Sequence, residues 1–136
     1  MNQPAKIQLT KNFYLNEFAC KDGTPVPDAY LNNVRLLAHY LQIIRNYTKK
    51  PMIIVSGFRS YSYNRLVKGA PYSQHLVAGA GDIKSPDIAP YELHTIIEKL
   101  IAAGQIKDGG LGLYDTFVHY DVTGKPRRWD FRKKLK

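Results

Sequence analysis

Cysteine is nearly absent: Cys20 stands alone in 136 residues, so no internal disulfide can form and no thiol pair exists for a zinc knuckle. The fold must stand on its core, and a reducing or an oxidising compartment is equally compatible. Long apolar runs are missing too, since the longest, such as Met52 to Val55 and Ile96–Ile97, fall far short of the roughly 18 residues that a membrane-spanning helix needs. The opening residues Met1 to Ile7 hold no apolar signal core, which leads to an expectation of cytoplasmic synthesis with release or delivery by another route. No internal repeat, low-complexity block or linker is found. Acidic residues are scarce, 11 against 20 Lys and Arg, and the net charge of +9 favours an anionic partner: nucleic acid, an anionic membrane surface or a charged polymer such as a bacterial wall.

What is present belongs to a folded chain. Hydrophobic residues at 44% and aromatics at 12% exclude a disordered tail, and 136 residues match a single domain with one core. Ten Tyr against five Phe is a skewed choice that suits half-buried positions where one end of the ring meets water or a polar ligand.

The pattern along the chain predicts mixed structure. Leu15 and Phe18, one turn apart before the turn-forming run Lys21 to Pro25, predict a short helix. Leu31, Val34, Leu37, Ala38, Leu41 and Ile44 predict an amphipathic helix that stops before Pro51. Met52 to Val55 reads as a strand and Tyr61 to Val67 as another short helix. A second long helix is predicted from about Pro90 to Ala103, with Gly104 as its left-handed cap. From Leu111 to Val122 the period is two, with Val118, Tyr120 and Val122 on one face and Phe117, His119 and Asp121 on the other. The tail from Lys125 gathers Arg127, Arg128, Arg132, Lys133, Lys134 and Lys136 with only Trp129, Phe131 and Leu135 as anchors, and reads as a solvated basic end, flexible from about residue 130.

Two of the four histidines keep unusual company. His75 precedes Asp82 by seven residues, with small residues between them that allow a tight loop feeding a strand. His119, on a later strand, would complete two imidazoles and one carboxylate, a set that holds catalytic zinc with a fourth position open for water. On spacing alone, hydrogen-bonded structural histidines remain the alternative. His39 and His94 lie beside apolar helix positions and read as partly exposed structural residues.

Three blocks sharpen this reading. Ser73-x-His75 followed by Ala80-x-Asp82, Ser56-Gly57-Phe58-Arg59-Ser60 upstream, and Gly109-Gly110-Leu111-Gly112-Leu113-Tyr114 with Phe117-Val118-His119-Tyr120-Asp121 downstream occur in one order. Together with Arg128-Trp129 they resemble the zinc D-alanyl-D-alanine carboxypeptidases and peptidoglycan endopeptidases, whose metal site is related to that of lysostaphin and the hedgehog signalling domain. The likeness spans about Phe13 to Trp129. It implies one zinc held by His75, Asp82 and His119, an Arg59 that faces the substrate carbonyl or carboxylate, and a Ser73 that bonds within the ligand loop or contacts substrate. Asp121 is implied as the carboxylate beside a ligand histidine or as a proton shuttle, and Tyr114 as a substrate-binding donor. The sequence departs from the family pattern at Ala78, where the signature has glycine, and at Thr116, where some branches carry a carboxylate base. Branches with the F-V-H-x-D block generally lack that carboxylate as well, which leaves Asp121 and Asp115 as candidates.

The expected architecture is α+β, one domain over residues 1–136. A small antiparallel sheet from the segments near Met52, Ala80, Leu111 and Val118 would carry the two long helices packed against it. The expected activity is zinc-dependent hydrolysis of peptide bonds in bacterial peptidoglycan by a monomeric, lysin-like carboxypeptidase or endopeptidase. The competing reading is a non-catalytic zinc-containing module that binds wall or a protein partner. Nucleic-acid binding through the basic tail is the weaker rival, and neither a nucleic-acid partner nor a membrane span is expected.

Overall fold

A computed structural model describes residues 7–133. Lys134, Leu135 and Lys136 of the basic tail lie outside the described residues. Helix α1 (Leu31–Thr48) turns Val34, Leu37, Ala38, Leu41 and Ile44 inward and ends at Lys49, whose left-handed backbone (φ 57°) closes the last turn just before Pro51. Helix α3 (Pro90–Ala102) starts with proline in its first turn, where the missing N–H leaves no bond unmade, and buries Leu93, Ile97 and Leu100. Gly104 follows it at φ +73°, as the sequence predicts. A third, short helix, α2 (Tyr61–Leu66), is capped by the Ser60 hydroxyl, which accepts from the Tyr63 N–H. Among the described residues, no helix is long and apolar enough to cross a membrane.

The strands are β1 (Ile53–Ser56), β2 (Ala80–Lys84), β3 (Gly110–Leu113), β4 (Val118–Asp121) and β5 (Arg127–Asp130), in the spatial order β1-β2-β4-β3-β5. All neighbours are antiparallel except β3 and β5. Both long helices cover one face, α1 against β2 and α3 against β3 and β4. Into that layer the sheet sends Ile83, Leu111, Val118 and Tyr120, each fully buried with Phe13, Phe18, Leu37 and Leu41. The alternation read from 117 to 122 holds, because Val118 and Tyr120 enter the core while His119 and Asp121 face the other way.

The α+β class and the four expected strand segments are therefore present, with one correction. The segment that reads as a solvated basic end supplies a fifth strand, β5, parallel to β3. Only Trp129 of its four residues is partly covered, so the strand carries no apolar alternation by which it could be read.

The face opposite the helices carries a single row of paired residues: Ser56 beside Asp82, Asp82 beside His119, His119 beside Gly112, and Gly112 beside Trp129. One transverse line of the sheet thus brings together all three sequence blocks and the tail.

Candidate metal centre

His75 stands in a 3-10 turn, Gln74–Val77, that Ser73 caps by accepting the His75 N–H at 3.1 Å. The turn exits through Ala78, which is buried and holds φ 59°. The glycine position of the motif is therefore a left-handed one, and alanine occupies it under strain. Asp82 and His119 face each other across β2 and β4. His75 Nε2 lies 3.2 Å and His119 Nδ1 3.1 Å from the same oxygen, Asp82 Oδ1. All three residues are buried, and their ligand atoms lie within 4.8 Å of one another.

The donor set fits zinc on two grounds. Ligand atoms about 2.0–2.1 Å from a tetrahedral ion sit roughly 3.3 Å apart, close to the two spacings given above. The ring protons are also placed for it. Gly57 O can only accept, so at 2.7 Å it takes the His75 Nδ1–H and leaves Nε2 as a lone pair. Asp121 Oδ2 at 2.8 Å takes the His119 Nε2–H and leaves Nδ1 as the lone pair. Arg59 NH2 donates to Asp82 Oδ2 at 3.2 Å, which leaves Oδ1 as the oxygen that faces both ring lone pairs.

Each residue of the upstream block has a task. Ser56 Oγ accepts from Arg59 Nε at 3.3 Å, Gly57 offers its carbonyl to His75, Phe58 fills the core, and Ser60 caps α2. A side chain at Gly57 would press on the Phe18 backbone, which is why glycine stands there. Arg59 is braced on three sides, with NH2 on Asp82 Oδ2 at 3.2 Å, NH1 on Asn64 Oδ1 at 3.2 Å and Nε on Ser56. Asn64 is a residue that sequence reasoning missed. It is 3% exposed and also ties α2 to the cleft wall by donating to Ala70 O at 2.9 Å.

Asp121 is fully buried and its two oxygens serve five donors. Oδ2 takes His119 Nε2–H and Arg127 NH2 at 2.6 Å, while Oδ1 takes Gly110 N–H at 2.8 Å and both the N–H and hydroxyl of Thr123. Burial would raise its carboxyl, yet the bonds from His119 and Gly110 carry it below the usual range. Added side chains at Gly109 or Gly110 would overlap Asp121, and one at Gly112 would overlap the Trp129 indole. That accounts for the three glycines of the downstream block. Asp115 is exposed in the bend before β4, where it accepts the Lys133 N–H, and Thr116 is exposed beside it. His39 is exposed against Tyr40, and His94 is half-buried on α3.

A cleft of about 490 Å³ opens over the three ligands, with Arg59, Ser73, Tyr114, Phe117 and Lys68 on its walls and Arg127, Trp129 and Phe131 of the tail closing one side. Its carboxylates are Asp82 and Asp121, both fully engaged. An α+β sheet bearing two oriented imidazoles and a carboxylate at the floor of an open cleft defines the class of metal-dependent hydrolases. The Peptidase M15 family model matches residues 11–121, most of the chain, and the chain belongs to this family of zinc peptidases. No curated protein matches it. Zinc is the family's cofactor, and His75, Asp82 and His119 are buried and close enough together to hold it.

Proposed function

We propose that this chain hydrolyses peptide bonds in bacterial peptidoglycan, as a carboxypeptidase or endopeptidase acting on the wall in the manner of a lysin. The observation that carries the reading is the convergence of the three ligands with a braced Arg59 at the floor of one cleft. The net charge of +9 supports an anionic wall as partner. Held by His75, Asp82 and His119, zinc would supply an activated water and Lewis acidity toward the scissile carbonyl.

The side chains divide the remaining work. Arg59, immobilised by Ser56, Asn64 and Asp82, presents its guanidinium edge to the substrate carbonyl or carboxylate with little reorganisation on binding. Of the two roles open to Asp121, we assign it the orientation of His119, because five donors leave its carboxylate no capacity to take a proton from the cleft. Tyr114 holds a proton at its hydroxyl for an oxygen that gains charge, and Ser73 keeps the His75 turn closed. Lys68 and Arg127 on the walls favour a substrate with negative charge near the bond.

One observation favours the non-catalytic alternative: among the described residues, no carboxylate in the cleft is uncommitted. Mass spectrometry of purified peptidoglycan after incubation with the zinc-loaded protein separates the readings. Loss of a terminal residue marks a carboxypeptidase, and a new amino terminus within a cross-bridge marks an endopeptidase. Unchanged muropeptides, with the protein still sedimenting with the wall, would leave the binding module standing.

A further inference from the structure

The family match stops at residue 121, but the cleft does not. Strand β5 lies beyond the match and sets Trp129 beside Gly112 in the ligand row, with the indole in the space that glycine leaves. The indole lies 4.9 Å from the His119 ring. Its Nε1–H sits 2.9 Å from the Tyr114 hydroxyl oxygen.

The direction of that bond is fixed by chemistry. An indole N–H can only donate, so Tyr114 must accept with one of its oxygen lone pairs. The phenolic proton then has to point elsewhere, and among the described residues no protein group accepts it. The ring cannot swing to find one. It stacks on Phe117 at 4.3 Å and 15°, and Phe131 meets it edge-on at 5.7 Å and 78°. Burial pushes the Tyr114 phenol up despite the indole bond, so the proton is retained through neutral pH.

We propose that Trp129 is a positioning residue for the peptidase reaction: by engaging the Tyr114 hydroxyl as an acceptor, it turns that hydroxyl's proton into the cleft as a fixed donor to the oxygen that becomes negative when the amide is attacked. The inference rests on the peptidase reading and gives a role to a residue outside the matched segment 11–121. A donor held in place before the reaction stabilises developing charge without rearrangement.

A double-mutant cycle over Tyr114→Phe and Trp129→Phe, with zinc content matched in every variant, tests it. Tyr114→Phe should lower kcat about 100-fold, as for loss of one oxyanion donor. Trp129→Phe, which keeps an aromatic ring and removes the N–H, should lower kcat about tenfold at little change in KM. Trp129 acts through Tyr114, so the double variant should be no slower than Tyr114→Phe alone. Multiplied losses, or full activity in Trp129→Phe, would overturn the proposal.

Two further measurements do not depend on peptidoglycan. The chain has one Trp, so a single indole N–H resonance reports the bond. Its exchange with solvent should be slow in the wild type and fast in Tyr114→Phe, and identical exchange in both would refute the contact. Binding of a phosphinate dipeptide, whose tetrahedral oxyanion imitates the attacked amide, should weaken in the same non-additive pattern. A wild type that cuts no peptidoglycan yet shows this pattern would sink the wall substrate and leave Trp129 in its role, whereas no phosphinate binding at all would sink both.

Discussion

The two histidine ligands are fixed by different kinds of partner. His75 is held by the main chain: Gly57 O takes its ring proton, and its own carbonyl accepts the Arg59 N–H at 2.9 Å. His119 is held by side chains in series, from its ring to Asp121, and from Asp121 to Arg127 on the edge strand. A backbone carbonyl survives every substitution, whereas a carboxylate and a guanidinium can each be removed singly. The His119 side of the metal centre is therefore the adjustable one, and the His75 side is fixed by the path of the chain.

Removing either ligand gives the largest effect. His75→Ala and His119→Ala should each abolish stoichiometric zinc, read by metal analysis, and retention of zinc in both would dismiss the metal centre. Next comes the step behind His119. Asp121→Asn should weaken zinc affinity by about 10- to 100-fold with the fold intact, the range for a partner that orients a ligand. Arg127→Ala, one link further out, should weaken it only a few-fold by the same titration. Equal losses from the two would mean that the series does not attenuate, and the comparison with His75 would lose its basis.

The opposite face of the same strand offers a smaller, pH-dependent test. Tyr120 is buried, donates to Lys107 O at 2.6 Å, and has its phenol pushed up by burial. The native state thus keeps this proton to higher pH than the unfolded chain, whose tyrosines ionise near pH 10. The contribution is complete below that pH and fades as pH rises above it. Tyr120→Phe should lose about 1 kcal/mol at neutral pH and show a flatter alkaline decline in denaturant midpoints. Zinc binding should not change.

The smallest effect is expected on the His75 side, at Ala78. Glycine would relieve a left-handed alanine, a gain of about 1–2 kcal/mol. It would also forfeit a buried methyl of about 0.8 kcal/mol and add about 0.5–1 kcal/mol of unfolded-state freedom. Ala78→Gly should therefore leave stability within about 1 kcal/mol of the wild type, measured by denaturant unfolding. A gain well beyond that would show that the turn carrying His75 stores more strain than its backbone angle indicates.

Where burial and chemistry wrote a period, the sequence could be read. The stripes of α1 and α3, the alternation around His119 and the three blocks that meet at the site all correspond to side chains facing one environment on one side and another on the other. Strand β5 offered no such contrast, since Arg127, Arg128 and Asp130 are exposed and a parallel edge strand is specified by a distant partner. Asn64 was hidden for the same reason: a polar residue in a short polar helix looks solvated until Arg59 and Ala70 are seen around it. The carboxylate roles were open at the level of spacing, which placed Asp121 beside His119 but could not count its donors.

The chain leaves β4 at Asp121, passes the start of β3 through residues 122–126 and lays β5 on the far side, where Arg127 N–H meets Gly109 O and Phe131 N–H meets Leu113 O. This route imposes an order of assembly. The β3–β4 hairpin joins neighbours in sequence and can close early, but β5 has nothing to pair with until β3 is in place. The wall of the cleft that holds Arg127 and Trp129 therefore forms after the β3–β4 hairpin and, as an exposed edge, can peel away from it under mild denaturant. Loss of the fully oriented cleft should come before loss of the core, with the helices and the inner strands still packed.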